Sequence, residues 1–236
     1  MSPALVGPPA ALPEPVRRVE PMTDPTRSLD PKSSPARKLL IATGNPGKAR
    51  ELAQLLTGLP YTLVTLADVG LPDDVEETGA TLEENAAIKA RAYACRSGLP
   101  TLADDSGLEV DALGGAPGVH SKRYAGESAT DAERVSHLLD QMARVPDPER
   151  TAQFRCVLAM ASPEGQAVTR EGVCRGMIMR VPQGSDGFGY DPVFWVPELG
   201  RTLAELTLAE KNLVSHRARA AREAAAMLHD PGRLPW

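Results

Sequence analysis

Leu39-Leu40-Ile41-Ala42-Thr43-Gly44-Asn45-Pro46-Gly47-Lys48, running on into Ala49-Arg50-Glu51-Leu52, decides how the rest of the chain reads. Leu39 to Ile41 have the length and character of a short buried strand. Thr43, Gly44, Asn45, Pro46 and Gly47 are turn and cap formers. Beyond Gly47 the apolar residues Ala49, Leu52, Ala53 and Leu56 fall at helical spacing. The stretch is a strand, a tight polar turn and a helix. Such a turn aims backbone N–H groups and a helix N-terminus at one place, which suits an anion, and Lys48 adds a positive charge there. The same pattern also serves as an ordinary βα connection with a solvated lysine. It is not a Walker A loop, because Ala42 stands at the first glycine position and Ala49 where a hydroxyl would meet Mg²⁺.

Upstream, residues 1–37 hold nine of the 22 prolines and no apolar periodicity. They read as a disordered proline-rich extension, which leaves 38–236 as the folded domain. No basic region precedes the first apolar residues, so no signal peptide is expected. No apolar run approaches the roughly 20 residues of a membrane span. Cys95, Cys156 and Cys174 are three, far apart and without a C-x-x-C, which favours reduced thiols in a cytoplasmic protein. A net charge of −5 argues against non-specific nucleic-acid binding. Aromatic residues make up only 4%, so Leu, Val and Ala must fill the core.

Downstream, Tyr61–Leu66 is a second strand candidate, followed by an acidic loop, Pro72–Gly79. Thr81 and Glu84 form a capping-box pattern that opens a helix ending at Gly98. Leu99–Ala103 is a short strand running into Asp104-Asp105-Ser106-Gly107, and Leu108–Leu113 reads as an edge segment. A second capping box, Thr130 with Glu133, opens another helix. Ala152–Ala161 and Ala167–Met179 pair as a hairpin across Pro163-Glu164-Gly165. A glycine-rich loop, Gly184–Asp191, precedes a short strand, Val193–Val196, and a C-terminal helix reaches about His229. Early alternation and a late hairpin predict an α/β domain with a long mixed sheet flanked by helices.

Four groups of residues can carry chemistry. Asp104 and Asp105 with Ser106, after an apolar strand, can hold a hard cation such as Mg²⁺. Neighbours on a strand point oppositely, so one Asp faces the site and the other caps a turn. Glu76 and Glu77 gain interest only beside Asp105. Phe188 and Tyr190 between Gly187, Gly189 and Asp191 can make a slot for a planar base, with Asp191 accepting ring N–H groups. Lys211 and His216 lie about 140° apart on an unbroken helix at 100° per residue. They converge with Arg217 only if a new helix starts at Ser215, a good N-cap.

Thr43-Gly-Asn-Pro-Gly-Lys48, Glu77 to Thr81 with Glu84-Asn-Ala86, Ala103-Asp-Asp-Ser-Gly107, Leu113-Gly-Gly-Ala-Pro-Gly118, Gly187-Phe-Gly-Tyr-Asp191 and Glu210-Lys211 with Ser215-His-Arg217 come in this order. Together they resemble the inosine triphosphate pyrophosphatase family, the non-standard purine nucleoside triphosphate pyrophosphatases, over residues 38–228. The resemblance implies hydrolysis of ITP, dITP and XTP to the monophosphate and pyrophosphate, Mg²⁺ as cofactor, a homodimer, and two lobes around a central cleft. Carried over, Thr43, Gly44, Asn45, Pro46, Gly47 and Lys48 would hold the phosphates. Asp105 would be general base and metal ligand, with Glu77 as the second metal carboxylate, and Ser106 would touch substrate. Phe188, Gly189, Tyr190 and Asp191 would hold the base and sugar, and Lys211, His216 and Arg217 would complete the pocket. Selection of a 6-oxo purine needs hydrogen-bond donors at O6, with Arg217 and the Phe188-loop amides as candidates. The 6-amino group of ATP would set donor against donor. A pyrimidine-triphosphate pyrophosphatase would lack the Phe-Gly-Tyr-Asp and Ser-His-Arg elements, and a non-catalytic nucleotide sensor would not need Asp104, Asp105 and Lys48.

Overall fold

The computed structural model describes residues 37–230, together with Met1 and Leu234. Of the disordered extension expected over 1–37, residues 2–36 lie outside the described residues, and Arg37 belongs instead to the first strand of the sheet. β1 (Arg37–Ala42) is flanked in parallel by β2 (Tyr61–Thr65) and β3 (Thr101–Val110). From β3 onward the sheet is antiparallel, through β4 (Thr151–Ala161), β5 (Ala167–Ile178), β6 (Phe194–Val196) and the two-residue β7 (Arg201–Thr202). The order is β2-β1-β3-β4-β5-β6-β7, a mixed seven-stranded sheet. Its helices are α1 (Pro46–Leu55), α2 (Leu82–Ser97), α3 (Asp131–Gln141), α4 (Leu208–Val214) and α5 (His216–His229). Among the described residues no helix is long and apolar enough to cross a membrane.

Two expectations about β3 are corrected. Asp104-Asp105-Ser106-Gly107 do not follow the strand, and Leu108–Val110 is not an edge segment. Both belong to one strand in the sheet interior, paired with β4 residue by residue from Thr101↔Ala161 to Val110↔Ala152. β1 stops at Ala42 opposite Ala103, so Asp104 to Gly107 run past its end.

The pleat then decides which way each side chain points. Leu39, Ile41, Leu102, Cys156, Leu158 and Met160 pack against α5 through Ala220, Ala221 and Ala224. Leu40, Ala42, Ala103, Val157, Ala159 and Ala161 pack on the other face, against Leu82, Ala86, Ala90 and Tyr93 of α2. By the same alternation, Asp104 and Ser106 face α1 and α5, and Asp105 faces α2. A third core, with Leu108, Val110, Leu138, Phe154 and Phe194, fills the far end of β3 to β6. The acidic segment of β3 lies where these three cores meet.

Local signals set the helix ends. Thr81 and Thr130 accept from the amides of Glu84 and Glu133 at the starts of α2 and α3. Ser215 ends α4 and caps α5, accepting from Ala218 N at 3.2 Å. This is the restart that the spacing of Lys211 and His216 requires.

Candidate active site

Asn45 caps α1, its Oδ1 accepting from Gly47 N at 2.8 Å and Lys48 N at 3.1 Å. These two amides are therefore taken up by the cap, and the Lys48 ammonium is the group that this turn offers to an anion. One pocket is lined by Thr43, Gly44, Asn45 and Lys48, by Glu77, Asp105 and Ser106, by Phe188 to Asp191, and by Lys211, His216 and Arg217. Pro46 and Gly47 lie outside it and line an adjoining hollow behind Phe188. A Cβ on Gly47 would come within 2.5 Å of the Phe188 ring, so a larger residue there would displace the ring.

Asp104 caps no turn. Its carboxylate is fully buried and meets Lys48 Nζ at 2.9 Å, with Arg217 donating from Nη2 at 3.3 Å. Burial would push this carboxyl up, but Lys48, Arg217 and Lys89 outweigh burial and hold it far below the usual carboxylate range. Asp105, on the other face, approaches Lys89 Nζ at 3.9 Å. Lys89 also binds Glu77 at 2.7 Å and the Asp104 carbonyl at 2.5 Å. Burial raises the Asp105 carboxyl, Lys89 and Lys48 only partly oppose this, and Glu77 and Asp104 push the same way as burial. Lys89 is buried too, yet Asp104, Asp105 and Glu77 keep it charged.

At the other end of the pocket, Glu51 on α1 accepts from Lys211 at 2.8 Å and from Arg217 at 2.5 Å. Lys211 also meets Asp191 at 2.5 Å. Arg217 further donates to Ser106 Oγ at 3.0 Å. The Lys211 ammonium and the Arg217 guanidinium stand 4.7 and 5.7 Å from the Phe188 ring centroid, in cation–π geometry. Arg217, the candidate donor for a base, is largely engaged within the protein. Most of its N–H groups hold carboxylates. His216 stacks on Phe154 with centroids 4.7 Å apart, and its Nδ1 is buried without a partner. Burial, then the charges of Arg217, Lys211 and Lys48, drive its pKa well below 6.5, so the ring is neutral at pH 7.

Among the described residues no three of His, Cys, Asp and Glu converge as a metal cluster. Magnesium, however, needs only one or two protein carboxylates when phosphate and water complete its shell. Asp105 Oδ2 is buried and has no hydrogen-bond partner, and Glu77 shares Lys89 with it. That orphaned oxygen fits a hard cation. Thiol chemistry does not fit: burial pushes Cys156 up to about 12 and Cys174 to about 11, and Cys95 is exposed outside the pocket.

Sequence reading missed Glu51, Lys89 and Asp131. Lys89 carried a signal, since it lies on the α2 stripe of Leu82, Ala86, Ala90 and Tyr93, where a charge needs a buried partner.

The model of the Ham1 family matches residues 39–227. A dITP/XTP pyrophosphatase of Geobacter sulfurreducens is 54% identical over 183 residues, covering 78% of this chain and 92% of that protein. One from Thermus thermophilus is 54% identical over 185 residues, covering 78% and 88%. Among solved structures, a HAM1 protein from Coxiella burnetii is similar with a TM-score of 0.75 and 44% identity, over 81% of this chain and 98% of that one. A nucleoside-triphosphatase, dITP/XTP pyrophosphatase, from Mycobacterium abscessus has a TM-score of 0.64 and 47% identity, over 81% and 98%.

Proposed function

The chain belongs to the Ham1 family, and from that premise we propose that it hydrolyses the non-standard purine triphosphates ITP, dITP and XTP to the monophosphate and pyrophosphate. The observation that carries this reading is a single pocket with two chemically distinct ends. One end gathers Lys48, Lys89, Asp105 and Glu77, and the other sets the Phe188 ring beside Lys211 and Arg217.

In this reading Thr43, Gly44, Asn45 and Lys48 bind the triphosphate, and Lys89 adds a second charge. The cations Lys48, Lys89, Lys211 and Arg217 are already matched by Glu51, Glu77, Asp104, Asp105 and Asp191. A triphosphate brings about three to four more negative charges, so a further cation is needed. Asp105 and Glu77 are the residues that would hold Mg²⁺, which would screen phosphate charge and activate water when bound. Asp105, raised by burial, can accept a proton from the attacking water, and Lys48 and Lys89 neutralise charge on the departing pyrophosphate. The purine lies against Phe188. Lys211 makes two ion pairs with three N–H donors, and Arg217 makes four bonds with five, so each retains a donor for O6. The 6-amino group of adenine faces those donors without an acceptor. The catalytic domain spans 38–236, and the protein acts as a cytoplasmic homodimer, testable by sedimentation against the 25.1 kDa chain mass.

The test is pyrophosphate release from ITP, dITP, XTP and ATP, each with Mg²⁺ and with EDTA. Release from the first three, little from ATP and none in EDTA is expected. An inactive wild-type protein, or one that prefers ATP, overturns the reading.

A further inference from the structure

Gly187 and Gly189, at φ 79° and 63°, flank Phe188. Glycine imposes little steric preference on the backbone, so this stretch has no local reason to hold the Phe188 ring in one direction. Its direction must come from tethers. Asp191 Oδ2 accepts from Phe188 N at 2.9 Å, and Tyr190 Oη donates to the Ser121 carbonyl at 3.0 Å. The peptide between Phe188 and Gly189 has its own clamp. Its carbonyl accepts from Asp191 N at 3.3 Å, and its N–H donates to Asp131 Oδ2 at 2.7 Å. Asp131 is the first residue of α3, far from Phe188 in sequence, and its other oxygen is paired with Arg134. Arg134 in turn donates to the Lys122 carbonyl at 3.0 Å and to that of Ala129, so the carboxylate is itself held.

We propose that Asp131 is a positioning residue for base recognition: by holding the Gly189 N–H it fixes the 188–189 peptide plane and so keeps the Phe188 ring as one wall of the base slot. Asp131 touches no reacting atom in this scheme and acts through Phe188. The inference rests on the pyrophosphatase reading above. It separates two roles that a buried structural residue would mix. The ring meets the base, and pyrophosphate meets Lys48 and Lys89 at the other end of the pocket. Loss of the tether should therefore weaken recognition of base-bearing substrates and leave pyrophosphate binding alone.

Two variants isolate the contact. D131A removes the acceptor. D131N keeps an acceptor oxygen for Gly189 but gives up the ion pair with Arg134. A charge-assisted hydrogen bond lost at a half-exposed site corresponds to about a tenfold change. For D131A, the KM for ITP should rise about tenfold with kcat within twofold, and the preference for ITP over ATP should narrow. Competitive inhibition by inorganic pyrophosphate should be unchanged. Exchange of the Gly189 amide should quicken, and D131N should restore both KM and amide protection. The proposal is overturned if D131A retains the wild-type KM, if D131N is as impaired as D131A, or if pyrophosphate inhibition weakens in step with KM. Wild-type protein that leaves ITP intact strikes down the functional reading and this inference together, whereas normal wild-type turnover with an unaltered D131A strikes down the inference alone.

Discussion

Replacing Glu51 by Gln exchanges one carboxylate oxygen for an NH₂ inside the buried ion network, with almost no change of shape. Both carboxylate oxygens are in use, one by Lys211 at 2.8 Å and one by Arg217 at 2.5 Å. Whichever way the amide turns, its NH₂ faces a cationic donor. One charge-assisted bond is lost, and a donor–donor contact takes its place. Asp191 still pairs with Lys211 and Asp104 with Arg217, so neither cation is left alone. The cost is therefore nearer that of one charged hydrogen bond than of an orphaned ion, about 2–3 kcal/mol. For a domain of this size that lowers Tm by about 4–12 °C. Thermal unfolding at pH 7 reads it directly.

The pH dependence separates charge from shape. Burial alone would raise the Glu51 carboxyl, but Arg217 and Lys211 outweigh it and hold it below its ordinary 4.5. A depressed carboxyl contributes stability that is complete above the unfolded value and lost as pH falls through the folded one. The Tm gap between wild type and E51Q should thus be flat from pH 7 to about 5 and close below 4.5. A gap under 1 °C at pH 7, or one that persists unchanged into acid, would refute the account of Glu51 as the shared counter-charge.

Four further outcomes can be measured, three from the same geometry and one from composition. Asp105→Asn should cut kcat by about 100- to 10,000-fold, the range for a lost general base, with Tm unchanged or higher because burial disfavours its charge. Asp104→Asn should instead lower Tm, because Lys48 and Arg217 lose their counter-charge; paired Tm and kcat measurements that show the reverse order exchange the two roles. Lys48→Ala should lower kcat/KM for ITP and XTP by the same factor, and a base-dependent loss removes Lys48 from the phosphate end. A chain lacking the residues before Arg37 should keep its Tm within about a degree and its ITP turnover, as a composition without a burial pattern implies.

Signals that act within a few residues were legible in the sequence. The turn at Thr43 to Gly47, the helix cap at Thr81, the capping box at Thr130, the hairpin across Pro163-Glu164-Gly165 and the restart at Ser215 were read from neighbours along the chain. The strand was ended too early, at Ala103, because Asp, Ser and Gly are turn formers by local propensity. What keeps these residues extended is distant: ten pairs with β4, and cations supplied by α1, α2 and α5. β7 was missed because two residues carry no periodicity, and its pairing with β6 exists only once the chain has folded back.

Glu51 shows why the site could be recognised from sequence yet not assembled from it. Motif order placed Lys48 and Arg217 in one pocket, but motifs name residues that face a ligand. Glu51 faces the protein, and its partners Lys211 and Arg217 lie 160 and 166 positions away (211 − 51 and 217 − 51). It stands three residues after Lys48, so both lie along the same side of α1. Lys48 reaches forward to Asp104, and Glu51 reaches across to the two cations beside Phe188. A single short helix thus sets the spacing between the two ends of the pocket. In the proposed reading, that spacing lets one molecule, with a purine at one end and a phosphate chain at the other, meet both ends at once.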